Sequence, residues 1–233
     1  SKAWVASGEQ AEAVIVFATV DKSQKHKGIA AFLVNMNQEG VTRGKNERKI
    51  SIRATSTNTI HLNEVRVHSS NVLSPPGQGF RFAMEQLDLA RIGIGSQSVG
   101  IAQASLDCSI EYASQRIAFD SPILRMSSVK KRIAEMALKI ESSRLLVRQA
   151  AQKKDEHLRS TKYTSMAKWH ASNTATFCAH NCIQILGGIG VVENSKFPAE
   201  RYYRDARITE IYGGVTDVQM NIIAEELIKE YGY

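Results

Sequence analysis

The sequence predicts an α+β protein: a small, partial antiparallel β-domain over residues 1–74, then a C-terminal antiparallel α-helical bundle over residues 75–233. Three observations carry that reading. The first third of the chain holds short apolar runs rich in Val, Ile and Phe, which suit strands. The segment Ser74–Gly79 (Ser-Pro-Pro-Gly-Gln-Gly) is a cluster of residues that break regular structure. Beyond it, apolar residues recur at helical spacing almost to the end of the chain.

Taken in order, Ala13–Val20 and Ile29–Met36 are strand-like runs, and the polar stretch Asp21–Gly28 between them makes a hairpin-like pair. Thr57–Val67 alternates Ile60, Leu62, Val65 and Val67 with polar neighbours. The phase slips once near Asn63, which predicts a bulge or turn there. In the helical part, Phe80, Ala83, Met84, Leu87, Ala90 and Ile94 form one stripe of a helix that continues to about Arg116 and is ended by Asp120–Pro122. A second helix runs from about Ser127 to Lys154, with Ile133, Met136, Ala137, Ile140 and Leu145 on one face. A third runs from about Thr161 to Leu186 and is stopped by Gly187–Gly190. A short helix near Pro198–Arg204 and a last one near Thr216–Glu230 follow. Long helices joined by short breaks predict antiparallel neighbours.

Composition narrows the function. The chain has 233 residues, 43% hydrophobic and 23% charged, as an ordinary globular protein has. Apolar runs such as Ala13–Val20 fall far short of the roughly 20 residues that span a bilayer, so no membrane segment is expected. Net charge is +7, but the bases are scattered among acids, with short clusters at Lys22–Lys27 and Lys130–Arg132. No basic stripe carries interleaved aromatics, so a solvated basic surface is expected rather than a nucleic-acid partner. The three cysteines, Cys108, Cys178 and Cys182, are too few and too odd in number for a disulfide-stapled secreted domain. Cys178 and Cys182 share a helix face. With no second pair to complete a zinc site, they are expected to be buried thiols and no metal is expected.

Four stretches carry chemistry as an ordered set: Lys2-Ala3-Trp4, Gly77–Asp107, Ile183–Gly190 and Pro198–Tyr212. Together, with Arg116–Phe119 and Ala134–Ala137, they resemble the acyl-CoA dehydrogenase family, and its short-chain members most closely. The resemblance runs through nearly the whole chain. It leaves out the family's N-terminal helical domain and the first part of its β-domain, so the chain reads as the C-terminal two-thirds. It implies a flavoprotein that removes hydrogens from the α and β carbons of a fatty acyl-CoA. It also implies FAD as cofactor, electron-transfer flavoprotein as redox partner, a homotetramer and a place in the mitochondrial matrix. The first ten residues carry no apolar or Arg/Ser-rich leader.

That chemistry needs a base for the α-proton, flavin for the β-hydride and hydrogen bonds to polarise the thioester carbonyl. In the family the base is commonly the glutamate of an Ile-Tyr-Glu-Gly-Thr stretch. Here the stretch is Ile211-Tyr212-Gly213-Gly214-Val215, so Gly213 holds the base position. The other placement the family uses, just before an arginine on the long helix, falls on Ala90 before Arg91. Glycine has no proton acceptor, but its N–H can still donate to a thioester oxygen. Glu85, Asp88, Glu210 and Asp217 are the other carboxylates nearby in sequence. For FAD, the resemblance assigns Trp4, Arg116, Phe119, Gln184, Gly187 and Gly188. It places Arg116 and Phe119 against the cofactor of a neighbouring subunit, and the glycines beside its adenosine-diphosphate end. For substrate it assigns Asp88, Arg91 and Tyr212. Asp88 and Arg91, three apart on one helix, are equally suited to pair with each other. Departures from the family pattern at Ala6, Asp120, Ser127, Val191 and Val215, and an insertion-like Glu193–Lys196, predict weakened FAD binding.

Overall fold

The computed structural model describes all of residues 1–233. The chain divides into two compact units, Ser1–Leu87 and Asp88–Tyr233.

The first unit contains two three-stranded antiparallel sheets. One is built in the order β1 (Lys2–Ala6), β5 (Thr57–Leu62), β4 (Val41–Arg43). The other is built from β2 (Ala13–Thr19), β3 (Ile29–Asn35) and β6 (Val72–Ser74). The expected hairpin is β2–β3, in unbroken register from Ala13 opposite Asn35 to Thr19 opposite Ile29. Its polar connection coils into 3-10 turns, started by the Asp21 carboxylate accepting from the Ser23 N–H at 2.9 Å. Ala30, Ala31 and Val34 of β3, and Met36 just after it, are buried. The phase slip near Asn63 is a turn: β5 stops at Leu62, Asn63 N–H donates to the Gly40 carbonyl at 2.9 Å, and Glu64 takes φ +51°. Val65 and Val67 therefore lie outside the strand into which the sequence pattern drew them. Two strands of this unit, β4 and β6, escaped the pattern because three residues are too short to show a period.

Strand gives way to helix at the breaker segment. β6 ends at Ser74 and helix α1 spans Gly79–Gln115. The first turns of α1 pack within the first unit, with Phe82 6.0 Å from Phe17 and Phe80 5.6 Å from His26, ring centre to ring centre.

The second unit holds the rest of α1, then α2 (Ser127–Asp155), α3 (Thr161–Leu186), α4 (Ala199–Ile208) and α5 (Thr216–Glu230). Between α1 and α2 lies a minimal hairpin, β7 (Ile117–Ala118) with β8 (Ser121–Pro122). Helix α3 is central: α2, α4 and α5 all pack on it. Its buried stripe is made of small residues, Ala167, Ala171, Ala175, Cys178, Ala179 and Cys182, all fully buried. Small side chains let three helices approach one axis, while Met136 and Ile140 of α2 and Val99 and Leu106 of α1 supply bulk around them. The cysteines are free, buried thiols. Burial pushes the Cys178 thiol up to about 12, so it stays protonated. No helix is long and apolar enough to cross a membrane.

Met136 is fully buried at the α2–α3 seam. Met136→Ala should destabilise the bundle by about 2–5 kcal/mol, read as a lower denaturant midpoint with unchanged slope.

Candidate active site

The residues around Gly213 are assembled by a tight reversal between α4 and α5. Helix α4 closes with Ile211 and Tyr212 N–H groups both donating to the Ile208 carbonyl, at 2.9 and 3.1 Å. Gly213 and Gly214 then take φ +63° and +98°, in the left-handed region that glycine enters without penalty. α5 begins two residues later. The turn is tied inward at both carbonyls. Gln219 Nε2 of α5 donates to Gly213 O at 3.3 Å and Gly214 O at 2.9 Å, and Lys168 Nζ of α3 donates to Gly214 O at 2.7 Å. Both Lys168 and Gln219 are fully buried. The N–H groups of Gly213, Gly214 and Val215 donate to no other backbone group.

No carboxylate enters this turn. A Cβ added to Gly213 would lie 2.2 Å from Ile94 Cδ1 of α1, so Ile94 fills the space where a side chain would start. One turn further along α1, Gln97 accepts a hydrogen bond from the Tyr212 hydroxyl. Burial raises the Tyr212 pKa, and the Gln97 bond opposes this. Ala90, the alternative base position, is exposed.

Asp88 and Arg91, expected on the substrate side, pair with each other at 2.6 Å. Asp88 also accepts from Thr161 Oγ1 at 2.9 Å and Thr164 Oγ1 at 3.2 Å. The two charges thus clamp α1 to the start of α3. Arg91 is almost wholly buried, and its Nε has no partner. The other carboxylates are similarly engaged. Glu85 pairs with Arg81 at 2.9 Å, and Glu210 accepts from Thr176 and pairs with Arg207 at 2.9 Å. Asp217 is exposed in the first turn of α5, where a negative charge favours the helix dipole.

The residues expected at FAD lie on exposed surface. Trp4 is 76% exposed, with φ +60° at the register break of β1 against β5. Arg116 follows α1 directly, and Phe119 sits at the tip of the β7–β8 hairpin, 91% exposed. The tip residues Phe119 and Asp120 both have positive φ, +52° and +62°. Asp120 stands where the resemblance expects glycine, and aspartate is among the few other residues that enter this conformation readily. Gln184 is exposed in the last turn of α3, and Gly187 caps that helix at φ +63°, ψ −138°. A Cβ on Gly187 or Gly188 would meet nothing within 4 Å, so a ligand's phosphate can approach the backbone there. Gln184 lies sixteen residues from Lys168 on one helix, about 24 Å along its axis. The glycine cap and the Gly213 turn are therefore separate ends of the bundle.

Sequence reasoning missed Lys168, Gln219, Ile94 and Gln97 as parts of the site. The signal for Lys168 was available: with Thr164, Ala171 and Ala175 it occupies the buried stripe of α3, where a lysine is out of place. No cluster of His, Cys, Asp or Glu is gathered where it could hold a metal ion.

Comparison with known proteins matches residues 1–65 to the middle domain and residues 77–228 to the C-terminal domain of acyl-CoA dehydrogenases. The mitochondrial short-chain specific acyl-CoA dehydrogenase of Rattus norvegicus is 49% identical over 231 residues, covering 99% of this chain and 56% of that protein. The solved butyryl-CoA dehydrogenase of Megasphaera elsdenii superposes with a TM-score of 0.94 at 38% identity, covering 97% of this chain and 59% of the other. A structure from work on the electron-transferring flavoprotein of Acidaminococcus fermentans and flavin-based electron bifurcation gives a TM-score of 0.95 at 36% identity. It covers 98% of this chain and 60% of the other. The chain thus spans a little over half the length of these relatives.

Asp88→Ala should leave the Arg91 guanidinium buried without its counter-charge and cost about 3–5 kcal/mol in chemical denaturation. Adding Arg91→Leu to that variant should recover much of the loss, because the unpaired charge is then gone.

Proposed function

Because the chain belongs to the acyl-CoA dehydrogenase family, we propose that it binds a short-chain fatty acyl-CoA beside FAD and polarises the thioester, while proton removal from the α-carbon is slowed or lost. The observation that carries this is Gly213: a glycine at the base position, in a left-handed turn, with Ile94 filling the space a side chain would need.

Each part of the chemistry has its candidate residues. Trp4, Arg116, Phe119, Gln184, Gly187 and Gly188 would hold FAD, which when bound supplies the acceptor for the β-hydrogen as hydride. The Gly213 N–H would donate to the thioester oxygen and make the α-proton more acidic. Tyr212, held by Gln97, would line the acyl pocket. Asp88 and Arg91 would act on the substrate side by fixing α1 against α3 rather than by touching the thioester. The other carboxylates near the turn in sequence, Glu85, Asp88, Glu210 and Asp217, are engaged elsewhere or exposed, which favours slow chemistry. Loss of a general base costs ~10²–10⁴-fold in rate. Where turnover does run, the similarity to proteins of electron-bifurcating systems supports an electron-transfer flavoprotein as acceptor. The rat relative supports the mitochondrial matrix as its location. The exposed Phe119 ring and the apolar Leu138, Leu145 and Tyr231 side chains support a homotetramer in which Arg116 and Phe119 serve a neighbour's cofactor. Sedimentation should then give a species larger than a monomer, and a clean, stable monomer would count against the assembly.

The test of function supplies the purified chain with FAD and butyryl-CoA, without an electron acceptor, and follows flavin absorbance. Wild type should bleach slowly or not at all. Gly213→Glu combined with Ile94→Ala, which clears the space, should bleach faster by a large part of that ~10²–10⁴-fold factor. The glutamate pays about 1–2 kcal/mol for its left-handed backbone. If wild type bleaches as fast as the double variant, another residue is the base. If FAD and thioester both bind and the double variant gains nothing, the chain is a non-catalytic acyl-CoA-binding relative.

A further inference from the structure

Lys168 is an unusual residue for its position. It is the largest side chain in the chain with essentially no solvent exposure, and it lies on the apolar stripe of α3. Burying an ammonium group costs several kcal/mol unless it is partnered, so its retention calls for a partner. That partner is the Gly214 carbonyl, 2.7 Å away and 46 residues distant in sequence.

Peptide geometry turns this contact into a positioning device. Every peptide bond in the chain is trans, so the C=O of one residue and the N–H of the next point in opposite directions. Lys168 and Gln219 draw the Gly214 carbonyl inward, which aims the Val215 N–H outward. Gln219 does the same at Gly213, which aims the Gly214 N–H outward. Neither N–H donates to another backbone group. Two adjacent donors are thus set by the carbonyls behind them. Gln219 gives one of its two Nε2 hydrogens to each carbonyl, at 3.3 Å to Gly213 and 2.9 Å to Gly214, and the shortest bond to the Gly214 carbonyl, at 2.7 Å, is from Lys168.

We propose that Lys168 is the positioning residue of the candidate site. Its buried ammonium holds the Gly214 carbonyl so that the Gly214 and Val215 N–H groups face the ligand, and loss of its proton loosens the turn. The proposal rests on the functional reading above only for the identity of the ligand.

The charges around Lys168 bear on its proton. Glu210, beyond α4, favours the ammonium, and Arg91 of α1 disfavours it although Asp88 offsets Arg91. From α5 the side chain that hydrogen-bonds the turn is the neutral Gln219. Burial is the largest influence, and with Arg91 it brings the amine down to about 8. Because the folded value lies below that of a free lysine, the unfolded chain holds the proton more tightly. Lys168 therefore costs stability below about pH 8, and that cost is relieved as pH rises toward the ordinary amine range.

The test needs no ligand. Glycine labelled with 13C at the carbonyl and valine labelled with 15N select the Gly–Val junctions, at Gly40, Gly190 and Gly214. On titration from neutral to about pH 10, the Gly214–Val215 signal should move with a midpoint near the lysine's value of about 8, and the other two should not share that midpoint. The movement should vanish in Lys168→Met, and Lys168→Arg should hold the signal at its neutral-pH position. A Gly214–Val215 signal that stays flat in wild type, or that titrates unchanged in Lys168→Met, overturns the proposal. If Lys168→Met does not fold, lysine 13Cε signals of wild type decide: one ε-carbon titrating well below the rest supports the proposal, and none doing so overturns it. Butyryl-CoA affinity at neutral pH should fall about tenfold in Lys168→Met, the effect of one hydrogen bond to a charged group. An unchanged affinity overturns the positioning role. Failure of wild type to bind butyryl-CoA at all, with the Gly214 signal still following Lys168, overturns the ligand assignment and leaves the device standing.

Discussion

The second unit depends on the packing of α3. Three helices close on it because its buried stripe is alanine, serine and cysteine, so their backbones come close and the bulk is supplied from α1 and α2. A helix packed from several sides has few places for polar groups, and most of those it buries need a partner inside. That requirement is what turns a packing element into the base of a site. Thr161 and Thr164 reach Asp88, Lys168 reaches Gly214, and Thr176 reaches Glu210. Each of these contacts reaches from α3 to α1 or to the turn between α4 and α5. The same helix that fills the core therefore sets the position of the turn carrying Gly213.

In the function proposed, the turn lacks one component of the chemistry and keeps another. Proton abstraction needs a side chain, and Gly213 has none. Carbonyl polarisation needs only backbone N–H groups, and two of those in the turn, at Gly214 and Val215, follow carbonyls held by Gln219 and Lys168. The two functions rest on different atoms, so a glycine at the position proposed for the base need not disturb the second. The Ile94 side chain stands in the gap: its Cδ1 lies 2.2 Å from where a Cβ on Gly213 would be, and as the end of a flexible side chain it would have to move aside for one.

The residues proposed for FAD are exposed wherever they lie: Trp4 on β1, Arg116 and Phe119 at the β7–β8 hairpin, and Gln184, Gly187 and Gly188 at the end of α3, and nothing in this chain covers the Phe119 ring. Exposed aromatic and glycine surface of this kind is completed by whatever binds it. Departures from the family pattern are absorbed locally where the backbone permits, as Asp120 is by the left-handed hairpin tip. Val215 is different: it begins α5 without a side-chain cap, and the neighbouring Thr216 hydroxyl is buried without a partner.

The sequence alone determined the order and kind of elements, because hydrophobic period and breaker residues act over a few residues at a time. The bounds of α3 and α5 fell where Gly187 and the Gly213–Gly214 pair interrupt the helical stripe. It determined the family resemblance, and it determined that no glutamate stands at position 213 or 90. It left the short strands β4, β6, β7 and β8 undetected, since two or three residues hold no period. Only the tertiary structure decided which of two equal readings applies to Asp88 and Arg91: they pair with each other because the threonines of α3 close around the carboxylate. Only it decided that Ile94 occupies the place of the missing side chain and that Lys168 lies beneath the turn. Those facts join residues 46 to 119 positions apart, and local pattern carries no record of which distant side chain will share a buried space.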